Sequence, residues 1–323
     1  MRGPVRLAII STPRTGNNWL QHLLSRVYCL PRLSPTNLPN LVWGTLPAEC
    51  VVILHWRRTP ELLRLLDEHG FQVISMARHP LDVLVSILQY TLRERTDGWL
   101  QGEGGNERTI LGRTPCSPEF LEYATGPRAA ALLAVTCAWW HQPGTHRLRY
   151  EDLVRDPHGQ MQRLIDRLGA PVRHDLGEAI AGSDLTSLRQ QFPERAHHFW
   201  QGRPGLWRRL LPVPLPRQIA YAQRECFTQL GYAFVADPCL SMAQAEANWC
   251  ELIGVPADAD PTLAALQNAL FDVRGELEQT RARLASVGHV GPWTLSLAQG
   301  VQRWSQRFPR MTRMVKRWMR RQR

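Results

Sequence analysis

The chain is nearly without lysine: 323 residues contain one, Lys316. No Gly-Lys-Ser/Thr occurs, so the usual ATP or GTP phosphate loop is absent. Seven cysteines, an odd number with no Cys-x-x-Cys spacing, argue against a disulfide framework or a zinc site and for reduced, mostly buried thiols. No apolar run approaches the roughly 18–20 residues of a membrane span, and the one near the N-terminus is too short for a signal-peptide core. A cytoplasmic protein is the expectation. The basicity is not general either. Of the net charge of +11, nine positive charges lie in 288–323 with no acidic residue, leaving +2 for the rest. No nucleic-acid recognition module accompanies them, and nucleic acid is not an expected partner.

What is present is an alternation of strand and helix signals over residues 1–240. It predicts an α/β fold: a central, mostly parallel sheet flanked by helices, as in P-loop proteins. Strands are expected at 5–10, 51–54, 71–77 and 146–150, and helices at 17–29, 60–69, 80–90, 129–140, 159–168 and 217–230. Residues 91–128, with six glycines, break the rhythm and read as a long acceptor-facing loop.

A helical linker follows at 241–290. Within it Leu266, Leu270, Val273, Leu277, Thr280, Leu284 and Val287 step by four and three, the spacing of a short coiled coil that could pair two chains. The segment 291–323 interleaves arginines with Val301, Trp304, Phe308, Met311, Val315, Trp318 and Met319, and Pro309 divides it. That helical extension reads as a docking face for an anionic membrane surface or an acidic partner, which would make the protein peripheral at a membrane.

The chemistry is concentrated in three strand ends. After the first comes "STPRTGNNW", residues 11–19. Gly16 permits a tight turn into a helix, whose first amides can hold an anion. Arg14 adds a bidentate cation, and Thr15, Asn17 and Asn18 add side-chain hydrogen bonds. After the third expected strand, "ARHPLDVLVS" places Arg78 at a strand end and Ser86 on the following helix, a second clamp beside the first. "YEDLVRDP" then puts Tyr150 where it can meet a flat ring. Asp82 and Asp152 read as capping or orienting groups, and Trp139-Trp140 as core. Adjacent His197 and His198 point differently on regular structure, so no metal site is expected.

Together these motifs, in this order and spacing, resemble the PAPS-dependent sulfotransferases, where PAPS is 3′-phosphoadenosine 5′-phosphosulfate. The resemblance covers residues 5–235. It implies that Arg14 contacts the oxygen bridging phosphorus and sulfur, where many members have lysine. Trp19 would stack on adenine, Arg78 and Ser86 would hold the 3′-phosphate, and Tyr150 would approach the adenine edge. It further implies that His55, in "VVILHWRR", is the general base, a role suited to a group titrating near neutrality. PAPS would be the co-substrate, no metal would be needed, and the acceptor would be a hydroxyl-bearing small molecule or glycan, with a saccharide or glycolipid favoured.

Two departures stand out. The family's Lys-Thr before the histidine is Ile53-Leu54 here, leaving Arg57 or Arg58 to substitute. Its basic pair near the 3′-phosphate is Trp200-Gln201, leaving Arg203 to supply charge. The rival readings are a kinase-like nucleotide-binding P-loop protein and a non-catalytic nucleotide-binding scaffold at a membrane.

Overall fold

A computed structural model describes residues 4–35, 41–92, 107–193 and 199–254. The proposed coiled coil, the basic tail, the His197-His198 pair and residues 93–106 of the expected acceptor loop lie outside the described residues.

Five strands form one parallel sheet: β1 (Arg6–Ile10), β2 (Arg32–Leu33), β3 (Cys50–Leu54), β4 (Gln72–Ala77) and β5 (His146–Arg149). Their order is β2-β3-β1-β4-β5, so β1 lies between β3 and β4. All five point the same way, and the loops that follow β1, β3, β4 and β5 gather at one edge. From β1 the chain moves to one side of the sheet, and from β4 to the other. That reversal opens a crevice at the carboxyl ends of β1 and β4, where open α/β sheets bind ligands.

The middle strands are apolar on both faces because helices cover both. Leu7 and Ile9 of β1 pack with Leu20, Leu23, Leu24 and Val27 of α1 (Asn17–Tyr28). Ala8 and Ile10 face the other way, towards Leu62 and Leu66 of α2 (Pro60–Glu68) and the expected core residue Trp139. β2 has only two residues and no periodicity, which is why the sequence pattern does not reveal it.

The other helices are α3 (Pro80–Thr91), α4 (Pro118–Thr125), α5 (Pro127–Trp140), α6 (Tyr150–Arg155), α7 (Pro157–Leu168), α8 (Leu176–Ala181), α9 (Leu185–Gln191), α10 (Leu215–Ala222), α11 (Arg224–Leu230) and α12 (Met242–Ile253). Two departures from the expected pattern have local causes. The second half of the expected 91–128 loop contains α4. Ser117 caps it by accepting from the Phe120 amide, Pro118 sits in its first turn, and Phe120 and Ala124 are fully buried. The helix expected over 217–230 is two, because the chain turns at Gln223, whose side chain donates to the Ala124 carbonyl (2.9 Å). α12 belongs to the same body: it buries Trp249 beside Trp200, their ring centroids 6.1 Å apart. No helix among the described residues is long and apolar enough to cross a membrane.

Candidate active site

The loop after β1 is fixed by hydrogen bonds from three sides. The Ser11 amide donates to the Leu54 carbonyl of β3, and the Ser11 hydroxyl accepts from the Met76 amide of β4 (2.7 Å). The Thr12 amide donates to the Thr136 hydroxyl of α5 (2.8 Å), while the Thr12 hydroxyl donates to the Leu132 carbonyl (2.8 Å). Thr15 and Asn17 turn their side chains inward, both donating to the Thr12 carbonyl at 2.9 and 3.1 Å. Two residues expected to offer side chains to a ligand therefore brace the loop itself.

Gly16 has φ +104, and a Cβ there would stand 2.6 Å from Cδ2 of Tyr150. Only glycine combines that backbone with that approach. It also precedes α1 with no side-chain cap and no acidic residue in the first turn. The first amides of α1, beside Asn18 and Trp19, are thus left to an anion.

Arg14 has φ 69, the left-handed region that costs a non-glycine residue about 1–3 kcal/mol. Its carbonyl accepts from Nη1 of Arg78 (3.0 Å), which helps hold that backbone. Its Nε donates to the Ser86 hydroxyl (3.2 Å), and its guanidinium lies 4.5 Å from the Tyr90 ring centre. Burial pulls its pKa down to about 10, still charged at neutral pH, with Tyr90 opposing the shift and Arg78 adding to it.

Arg78 is buried, with its guanidinium 4.6 Å from the Tyr150 ring centre. Its Nε is buried without a hydrogen-bond partner. An unsatisfied nitrogen on a buried cation is costly unless a ligand completes it. Tyr150 stands where β5 passes into α6 and meets Trp19 edge-on at 6.1 Å.

His55 follows β3, half-buried. Its Nδ1 lies 2.8 Å from the Ser11 carbonyl. A carbonyl can only accept, so Nδ1 carries the hydrogen and Nε2 keeps its lone pair. Burial lowers the imidazole pKa to about 4, against the Ser11 hydrogen bond and with a further push from Arg14. The ring is consequently neutral at pH 7.

Arg14, Gly16, Asn17, Asn18, Trp19, His55, Arg78, Ser86 and Tyr150 all line one cavity of about 550 Å³. Thr15 lies behind it. Arg203 is exposed and outside the lining, as are Arg57 and Arg58, and the Arg58 Nε donates to the Ala138 carbonyl. The far wall is Phe199, Trp200, Gln201 and Gly202 together with Asp184, Leu185 and Leu188. Arg189 holds that wall by donating to the carbonyls of Phe199 and Trp200. Asp82, fully buried, accepts from the amides of Gly205 (2.6 Å) and Trp207 (3.1 Å), so it orients the wall rather than facing a ligand.

Sequence patterns leave several site residues unmarked: Tyr90, Trp56 and the 184–188 face of α9. Tyr90 alone carried a signal, standing one helical turn beyond Ser86. Among the described residues no group of three or more His, Cys, Asp or Glu could hold a metal.

A family model described as the sulfotransferase domain matches residues 4–193. No curated protein matches the chain. Among solved structures, mouse sulfotransferase SULT7A1 complexed with PAP is 16% identical, over 70% of this chain and 84% of that one, with a TM-score of 0.53. Retinol dehydratase in a complex with retinol and PAP is 15% identical over 73% and 84%, with a TM-score of 0.48. The first likeness shows the fold. Because the domain match spans more than half of its length, this chain belongs to the sulfotransferase family.

Proposed function

We propose that the protein moves the sulfuryl group of PAPS to an acceptor hydroxyl, with His55 as general base. The observation that carries this reading is the convergence of Arg14, Arg78 and the open amides of α1 on the cavity that also holds neutral His55. A donor with phosphate at both the 5′ and 3′ positions fits a cavity lined by two guanidiniums, one of them with an unfilled Nε. That the mouse structure is a complex with PAP favours the same donor.

PAPS supplies the sulfuryl group. His55 Nε2 takes the proton of the acceptor hydroxyl as its oxygen bonds to sulfur. The bond from sulfur to the bridging oxygen breaks, and Arg14 stabilises the negative charge left on the phosphate. Trp19 stacks on the adenine, Tyr150 approaches the adenine edge, and Arg78 holds the 3′-phosphate. The work is positioning and charge stabilisation, as in phosphoryl transfer.

Thermal melting with PAP, PAPS, ATP and GTP tests the donor. At about a hundredfold excess over Kd, PAP should raise Tm by roughly 5–10 °C, and ATP or GTP with magnesium should not. Stabilisation by ATP and magnesium, with none by PAP, would favour a kinase-like protein instead.

A further inference from the structure

α3 presents two residues to Arg14, Ser86 and Tyr90, four positions apart and so on one helical face. Ser86 meets the edge of the guanidinium at Nε, 3.2 Å away. Tyr90 meets its plane, the guanidinium carbon 4.5 Å from the ring centre and well within the ~6 Å range of a cation–π contact. Tyr90 is itself 8% exposed and lines the cavity, so its ring has little freedom to move away. At the other end of the residue, Arg78 holds the Arg14 carbonyl and with it the left-handed backbone. Main chain, edge and plane of Arg14 are each fixed by a different residue.

We propose that Tyr90 is a positioning residue that holds the plane of the Arg14 guanidinium, so that the loop cation acts as an oriented fork. The inference rests on the sulfuryl-transfer reading only for its catalytic consequence. A planar guanidinium stacks on a ring and keeps its orientation, whereas an ammonium is a point charge on a flexible stem. The ring therefore serves an arginine at position 14 and gives a lysine far less. This pairs the arginine in the loop with a residue of α3 that has no other assigned role.

Tyr90→Leu, Tyr90→Phe, Arg14→Lys and the Tyr90→Leu/Arg14→Lys double variant test this through kcat, PAP affinity by calorimetry and Tm. Tyr90→Leu should lower kcat about tenfold, with PAP affinity changed about twofold or less. Tyr90→Phe, which keeps the ring face, should stay within about threefold of wild type in kcat. In the Arg14→Lys background, Tyr90→Leu should add little further loss of kcat or of Tm. Unchanged kcat in Tyr90→Leu, an equal loss in Tyr90→Phe, or additive losses in the double variant would overturn the proposal. Wild-type protein that transfers no sulfuryl group would refute the reaction instead. The Tm coupling between Tyr90 and Arg14 would then decide the contact by itself.

Discussion

His55→Ala is expected to lower sulfuryl transfer by about a hundred- to ten-thousand-fold, the usual contribution of a positioned general base. PAP affinity should change about twofold or less, since the imidazole works on the acceptor's proton and not on the nucleotide. The Ser11 carbonyl fixes the hydrogen on Nδ1 and so presents the basic Nε2. His55→Gln keeps a polar amide of similar reach but cannot take up the proton, so it should be as inactive as His55→Ala. Activity retained in the glutamine variant would mean that His55 only orients.

The same residue sets the pH profile. An ordinary histidine would be protonated as pH falls through about 6.5. Burial holds His55 neutral until about pH 4. Loss of the base form thus comes late, and kcat/KM for the donor should stay level from pH 8 down to about 5 and fall through about 4. An acid limb centred near 6.5 that disappears in His55→Gln would contradict the burial described for this ring.

Arg14→Gly is the second large effect. Glycine accepts the left-handed backbone that arginine occupies at φ 69, so the substitution removes the cation while relieving strain. Tm should shift by only a few degrees, because the lost Ser86 and Tyr90 contacts offset that relief. kcat should fall by about a hundred- to a thousandfold, as when a group that stabilises developing negative charge is removed. A kcat within about threefold of wild type would remove Arg14 from the chemistry.

Much of this site is legible in the sequence because each part of it is local. The phosphate loop occupies one turn behind a strand, and Arg78 and Ser86 are joined by a single helix. His55 and Tyr150 stand at strand ends, and parallel strands bring their ends to one edge. What escapes is whatever depends on the packing of distant elements. Thr12 finds its partner in Thr136, 124 residues away, and no spacing announces that pair. Thr15 looks like a ligand-facing side chain until Thr12 is seen to claim it, and Asn17 also donates to Thr12 while lining the cavity. Arg203 has the right charge in the right stretch, but Asp82 fixes that stretch through the Gly205 and Trp207 amides with Arg203 facing outward. The turn at Gln223 follows from an interhelical bond to Ala124 that helical periodicity cannot register.

Transfer from PAPS labelled at sulfur, in excess EDTA, against a panel of alcohols, phenols and glycans decides the reaction. Label should appear in an organic sulfate, with an equal amount of PAP released and both lost in His55→Gln. Label that stays in PAPS with every acceptor, while the protein transfers phosphate from ATP once magnesium is restored, would contradict sulfuryl transfer.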